Sequence, residues 1–325
     1  MNVLVTGANG LLGNHVVGEL LRQHHAVRII VRSKKNIFFN LNSVQVFEGD
    51  FTRYNCLLNA ARGCDAIIHI AAVTATNLLH AEDYRTVNVK GTAQVLKVAD
   101  ELNICTIVYI SSANTIGFGN EQVPGDERLN IQYPFTKSFY AQSKAESEQL
   151  MVEASAKPGR HVVIINPAFM LGAYDSKPGS GKLLLMGYKR SVMFIPKGGK
   201  NFVSAQNVAI AVCNALTMGQ NGQRYLASGI NLSFKEYYTL QKQVGDYRQY
   251  ILEIPDFLLL SIAKAGDLVR RLGVKTDLCS MNLKQLMIQE HYSNLTSKRE
   301  LNLPESDIKV AIKEAIDWFK EHDMA

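Results

Sequence analysis

Cysteine is scarce: five residues in 325, at Cys56, Cys64, Cys105, Cys213 and Cys279, odd in number and without a C-x-x-C spacing. That pattern excludes a disulfide framework and a thiolate metal centre, and the thiols are expected to be reduced core fillers. No His, Cys, Asp or Glu cluster has ligand spacing, so no metal is expected. Long apolar runs are missing too. The longest, Phe257 to Ala263, falls well short of the roughly 20 residues that a membrane span needs, so no membrane partner is expected. There is no basic run, and the net charge of +6 is mild. These features argue against a nucleic-acid partner and fit an anionic small molecule. A strand signal two residues after Met1 leaves no room for a signal peptide, which makes the expected location cytoplasmic. Gly181-Lys182 is no P-loop, because Ser176 stands five residues before Gly181 and Leu183 stands where Ser or Thr is required.

What is present begins with a glycine-punctuated turn. Val3 to Val5 reads as a buried strand, Thr6-Gly7 breaks it, and helical spacing starts at Leu11. A strand turning tightly into a helix offers free backbone N–H groups at a positive helix end, where a diphosphate docks. Gly7 permits the turn, Gly10 lets backbone approach a pyrophosphate, and Gly13 lets the helix lie near the sheet. Asn9-Gly10-Leu11-Leu12-Gly13 is therefore the expected diphosphate clamp. A second strand, Ala26 to Val31, ends at Arg32-Ser33-Lys34-Lys35. In a dinucleotide fold this strand end faces the adenosine ribose, where an acid selects NAD and an Arg accommodates the 2′-phosphate of NADP. Arg32, with Lys35 beside it, points to NADP(H), with NAD(H) the lesser alternative.

Further strand signals lie at Val44 to Phe47, Ala66 to Ile70, Cys105 to Ile110 and His161 to Ile165, with a helix predicted from about Val87 to Asn103. Strands alternating with helices predict an α/β, Rossmann-type doubly wound parallel sheet. His69, inside an apolar run, reads as a core histidine. The stretch from Ala113 to Phe139 loses period, and a loop that long is functional or disordered. It leads into Ser138-Phe-Tyr-Ala-Gln-Ser-Lys144, which opens a helix. Tyr140 and Lys144 lie one turn apart on one face of it. Beyond Pro167 the composition changes, predicting residues 1–166 as the dinucleotide domain and 167–325 as a smaller, mixed substrate domain. Part of 201–230 is expected to return to the main sheet, through a strand at Gln223 to Ala227. A helix is expected over Phe257 to Leu272 and a last one over Ile308 to about Lys320, capped by Ser306 and with Trp318 in packing.

With the three glycines, Ser112 and Tyr140-Ala-Gln-Ser-Lys144 in that order, the chain resembles the extended short-chain dehydrogenase/reductase (epimerase/dehydratase) family over nearly its whole length. Within it, the basic Arg32 turn, Asn166-Pro167, Gly222-Gln-Arg-Tyr-Leu226 and the tail from Tyr292 to Phe319 are most similar to the dihydroflavonol 4-reductase-like branch. The resemblance implies that Ser112, Tyr140 and Lys144 are catalytic with support from Asn88. It also implies that Asp50 and Phe51 line the adenine, that Ala71 and Ala72 pass near the ribose and phosphates, and that Pro167, Ala168 and Met170 lie near the nicotinamide. The chain departs from the family pattern at Gln206-Asn207, where an acidic pair is common, and at Gly172-Ala173. Both departures are expected on the substrate side.

Carbonyl reduction needs a hydride, which only a cofactor supplies, and a proton donor for the developing alkoxide. Tyrosine, with a free pKa of about 10, is a poor shuttle at neutral pH, and Lys144 is expected to favour the tyrosinate. Ser112, or its neighbour Ser111, donates a hydrogen bond to the substrate oxygen. The expected activity is NADPH-dependent reduction of a ketone or aldehyde of a small organic molecule. A sugar-nucleotide epimerase or dehydratase with retained NAD, and a non-catalytic NADP-binding regulator, are the alternatives. Lys182, Lys189, Arg190, Lys197 and Lys200 read as a solvated basic face. Glu146, Glu148, Gln149 and Glu153 argue against an apolar dimer seam, leaving monomer or homodimer open.

Overall fold

Short aliphatic runs bounded by Gly, Asn and Ser become strands, and the longer periodic stretches become helices. The computed structural model describes residues 1–325. Its strands are β1 (Asn2–Thr6), β2 (Ala26–Val31), β3 (Val44–Glu48), β4 (Ala66–His69), β5 (Thr106–Ile110), β6 (His161–Pro167), β7 (Phe169–Leu171), β8 (Val192–Ile195), β9 (Gly199–Ser204), β10 (Arg224–Ala227), β11 (Ile230–Ser233) and β12 (Tyr250–Glu253). The helices are α1 (Leu11–Arg22), α2 (Tyr54–Ala61), α3 (Ala81–Glu101), α4 (Phe139–Ser155), α5 (Gly181–Gly187), α6 (Ala205–Asn214), α7 (Phe234–Val244), α8 (Asp256–Arg271), α9 (Ser280–Leu286), α10 (Leu295–Leu301) and α11 (Ile308–Glu321).

Seven strands form one parallel sheet in the order β10-β6-β5-β4-β1-β2-β3. Both faces are covered, so successive residues of one strand enter different cores. Val3 and Val5 pack on the side of α1 and α6, while Leu4 packs on the side of α2, α3 and α4. That is why these strands read as unbroken apolar runs. The strand order reverses between β1 and β4, the switch point at which a doubly wound sheet opens a crevice for a ligand. β10, at Arg224–Ala227, pairs with β6 as the sequence predicts. A three-stranded sheet (β11-β9-β7) and the β12-β8 pair make up the smaller part, around a third core that contains Trp318.

Several sequence expectations need correcting. α3 begins at Ala81, not Val87. Its first turn carries Glu82 and Asp83, which suit a helix N-terminus but break the apolar period. Asp307, not Ser306, caps α11 by accepting from the Lys309 amide at 3.0 Å, and the Ser306 hydroxyl instead accepts from Asn207 Nδ2 at 3.2 Å. The 113–139 segment is pinned rather than loose. The amides of Gly119 and Gly125 both donate to the His291 carbonyl, at 3.0 and 2.9 Å. Buried Glu127, in the same segment, accepts from the Leu226 amide of β10 at 2.9 Å.

Candidate active site

The glycine turn lies at the switch point. Gly7 has φ of +75°, and a Cβ there would stand 2.7 Å from the Ala71 nitrogen. A Cβ on Gly13 would stand 2.1 Å from the Gly7 carbonyl, whereas at Gly10 the nearest atom is 3.5 Å away. Two glycines are therefore demanded by packing, and the third leaves the turn open on its outer side. Gly10 caps α1 without a side-chain bond, and the amides of Leu11, Leu12 and Gly13 have no partner. Free N–H groups at the start of a 12-residue helix beside an open turn fit a diphosphate.

Asn14 is a part of this turn that the motif does not reveal. Buried on α1, it donates to the carbonyls of Gly10 (2.9 Å) and Asn36 (3.2 Å) and accepts from the Phe38 amide at 2.8 Å. It thus ties the segment after β2 to the glycine turn, and Asn9 Nδ2 adds a 3.4 Å contact to the Lys35 carbonyl. In the basic turn, Lys34 is offset by Glu48 at 3.0 Å, so it adds less charge than the sequence implied. Arg32 and Lys35 are exposed and unpaired. Asp50 is turned onto the amide and hydroxyl of Thr52, at 2.9 and 2.8 Å. Phe51 packs 5.4 Å from the His69 ring and against Gly91. Ala71 and Ala72 are half-buried beside Gly7, and the Ala71 amide donates to Thr6 Oγ1 at 3.2 Å. His69 is the core histidine expected, its ring nitrogens 2.8 and 3.1 Å from the Thr6 and Thr92 hydroxyls. Burial and the nearby Lys144 charge push its pKa down to about 3.

On the other side of the switch point, α4 brings Tyr140 and Lys144 to the end of β5. Ser138 caps this helix through the Ala141 amide at 3.4 Å. The Ser112 hydroxyl accepts from the Asn114 amide at 3.2 Å and lies near enough to the Tyr140 phenol to favour its ionisation. Ser111 is buried with its hydroxyl unpaired. Because β5 ends at Ile110, strand alternation could not decide between the two serines.

Lys144 is 2% exposed. Its ammonium donates to the Ile110 carbonyl at 2.6 Å and stands 4.4 Å over the Tyr109 ring. Burial brings its pKa down to about 7, and the Glu148 carboxylate opposes that fall. The Tyr140 phenol is raised above its ordinary value by burial, with Ser112 pulling the other way. Desolvation favours the protonated phenol, opposing the lowering expected from the Lys144 charge.

Asn88 is buried and spent on protein groups. Its amide donates to the Val73 carbonyl (3.1 Å) and Ser143 Oγ (2.9 Å), and its carbonyl accepts from the Val73 amide at 2.7 Å. It fixes the chain after Ala71-Ala72 to α4. Sequence reasoning missed Asn166 as a functional polar group. Its Nδ2 lies 3.2 Å from the Ser112 carbonyl, 2.9 Å from Thr115 Oγ1 and 2.7 Å from Glu148 Oε2. Glu148 also turned out differently, since it points inward to this network and away from any dimer seam. Its position four residues after Lys144 was the available signal. Pro167 is buried at the end of β6, while Ala168 and Met170 are half-buried.

Gln206 Oε1 accepts from His15 Nδ1 at 2.9 Å, and Asn207 Nδ2 donates to the carbonyls of Pro304 and Glu305 at 3.3 and 2.9 Å. Both residues fasten α6 to neighbouring segments of the protein. Of the residues read as a solvated basic face, Lys182, Lys189, Arg190 and Lys197 are exposed, with Lys182 paired to Asp277, whereas Lys200 is buried against Glu290.

Comparison with known proteins places this geometry. Residues 4–252 match the 3-beta hydroxysteroid dehydrogenase/isomerase family. The chain is 29% identical to a Synechocystis protein assigned as a dihydroflavonol 4-reductase, covering 98% of this chain and 94% of that one. It is 27% identical to sterol demethylase protein B of Methylococcus capsulatus over the full length of both, and 28% identical to a farnesyl-dihydroquinoline-oxide ketoreductase of Stigmatella aurantiaca over 82% and 80%. Among solved structures it superposes on gox2253 with a TM-score of 0.84 at 24% identity, covering 99% and 98% of the two chains. A nucleoside-diphosphate-sugar epimerase from Pseudomonas aeruginosa gives 0.78 at 21%, covering 100% and 99%, and shares the fold. The chain thus belongs to the 3-beta hydroxysteroid dehydrogenase/isomerase family, oxidoreductases of the extended short-chain dehydrogenase/reductase class.

Proposed function

We propose that this enzyme is an NADPH-dependent reductase acting on a ketone or aldehyde of a small organic molecule. The observation that carries the reading is geometric: α4 brings Tyr140 and the buried Lys144, anchored on the Ile110 carbonyl, to the end of β5 where Ser112 follows, and burial raises the Tyr140 phenol. A protonated Tyr140 is the form needed to give a proton to an alkoxide, so the site is set for reduction at neutral pH. Ser112 polarises the carbonyl oxygen as charge builds on it. Lys144, anchored on the Ile110 carbonyl, holds a buried positive charge near the reacting groups. Bound NADPH would supply the hydride. The free amides of Leu11 to Gly13 would take its diphosphate and Arg32, with Lys35, its 2′-phosphate. Asp50 and Phe51 would lie at the adenine, and Pro167, Ala168 and Met170 at the nicotinamide.

Related proteins named for a dihydroflavonol, a sterol and a farnesylated quinoline support an apolar ring-bearing carbonyl compound as substrate. The epimerase reading is disfavoured by Arg32, and by Ala113-Asn114-Thr115-Ile116 after Ser112, which contains no carboxylate to act as a base. Turnover of NADPH and NADH with a panel of cyclic and aromatic ketones and aldehydes tests the proposal. Consumption of NADPH with alcohol formation is expected. Silence across the panel, with NAD and a nucleotide sugar retained on the purified protein, would overturn it.

A further inference from the structure

The basic turn after β2 is gripped from the smaller part of the fold. From Ser33 to Phe39 the chain belongs to no strand or helix, and Asn36 within it is left-handed at φ +63°. Ile37 and Phe39 pack on the core shared by α1 and α6. Phe38, between them, is 36% exposed, yet it does not stand alone. Its ring stacks on Tyr174 at 5.4 Å and 12°, and it meets the rings of Trp318 and His322 edge-on at 5.6 and 5.4 Å. His322 in turn stacks on Trp318 at 4.4 Å, with its Nδ1 2.8 Å from the Trp318 carbonyl. Tyr174 follows β7, while Trp318 and His322 lie at the end of α11, and Tyr174 and Trp318 both belong to the third core. Three rings from two distant segments thus hold one phenylalanine of the turn.

Two observations give this clamp a role beyond packing. Tyr174 is a bulky residue at φ +75°, a conformation that persists only where the surroundings over-determine it, and ligand clamps are among such places. Its ring also meets that of His15 at 4.8 Å, and His15 is itself fixed by Gln206 and the Ala173 carbonyl. The second observation is that both ends of Phe38 are tied. Its amide donates to Asn14 Oδ1 at 2.8 Å, and Asn14 Nδ2 donates to the carbonyls of Asn36 and Gly10. Arg32 and Lys35 stand between this anchored residue and the end of β2. Cations on a free loop bind phosphate more weakly, because the loop loses its freedom on binding; a loop already pinned has less to lose. The geometry points to Phe38 as a specificity-determining positioning residue. The clamp of Phe38, Tyr174, Trp318 and His322 holds the 32–35 turn in the form that receives a 2′-phosphate, so the end of α11 takes part in selecting NADP(H) over NAD(H). This rests on the NADPH reading above. A phenyl ring offers phosphate no hydrogen bond, so Phe38 acts through the cations.

Calorimetric titration of the full chain with adenosine 2′,5′-bisphosphate and with adenosine 5′-monophosphate tests this, since the two ligands differ by the 2′-phosphate alone. Wild type should bind the bisphosphate at least about tenfold more tightly. Phe38→Ala should lose about tenfold of that preference, with the monophosphate changed by less than about twofold. His322→Ala, at an exposed position, should lose about threefold by the same route, and it carries the test where alanine at 38 weakens the fold. Phe38→Tyr keeps the ring and should restore the preference. A wild type that binds both ligands alike would overturn the NADPH reading and this proposal with it. A wild-type preference left undiminished in Phe38→Ala and His322→Ala would overturn this proposal alone. So would equal weakening of both ligands in Phe38→Ala, the mark of a clamp that only fastens α11.

Discussion

Glu148 lies one turn beyond Lys144 on α4, and its carboxylate is what resists the loss of the buried Lys144 charge. The carboxylate is held in turn by the Thr115 hydroxyl at 2.8 Å and the Asn166 amide at 2.7 Å. Glu148 is buried among protein partners and acts as a positioning residue. Glu148→Gln should let the Lys144 pKa fall further below about 7. If the ammonium is the working form, the alkaline limb of the kcat profile moves to lower pH by on the order of 1 unit. A uniform loss of kcat with the limb unmoved would reduce Glu148 to a structural role.

Lys144 itself should cost stability. Its folded pKa, about 7, lies below the 10.5 of an unperturbed lysine, so the unfolded chain binds more protons between these values. Stability from this group therefore rises with pH across that window, and the penalty is greatest at and below pH 7. Lys144→Met should abolish turnover yet raise Tm at pH 7 by roughly 2 °C or more, the gain shrinking toward pH 10.5. Thermal melts at several pH values measure it, and a lower Tm at pH 7 would contradict the account.

Arg32 is unpaired at the end of β2, free to hold a 2′-phosphate. Arg32→Glu should shift the NADPH-to-NADH ratio of kcat/KM toward NADH by about 10- to 100-fold, the worth of charge-assisted bonds to phosphate. Steady-state kinetics with both cofactors decide it, and an unchanged ratio would remove Arg32 from the site.

Gly13 is held by backbone rather than by a yielding side chain. Gly13→Ala would press a methyl into the Gly7 carbonyl and the Ala8 Cα. A loss of about 1–3 kcal/mol in unfolding free energy is expected, together with weakened NADPH binding. Denaturant titration and a cofactor binding isotherm read both.

Where chemistry depends on short local patterns, the chain was readable. Gly7, Gly10 and Gly13 constrain a single turn, and Tyr140 and Lys144 share a helix face whatever surrounds them. The parallel strands announced themselves as apolar runs because both sheet faces are covered. What could not be read depends on distant packing. That Glu148 turns inward follows from Asn166 and Thr115, which arrive on other elements. That Gln206 and Asn207 are fasteners follows from His15 and the 304–306 segment. The Tyr140 pKa followed the burial of its ring rather than the spacing to Lys144.

The central claim is that Tyr140, beside Ser112, protonates a carbonyl oxygen while NADPH delivers hydride to its carbon. The most direct test uses NADPH carrying deuterium at the transferable position of the nicotinamide, with the alcohol product analysed by mass spectrometry. The account predicts one deuterium on the former carbonyl carbon with the wild-type enzyme. It predicts turnover lowered by at least about 100-fold in Tyr140→Phe, the scale of a lost general acid, with NADPH affinity largely kept. A deuterium-free product, or undiminished turnover in Tyr140→Phe, would contradict it.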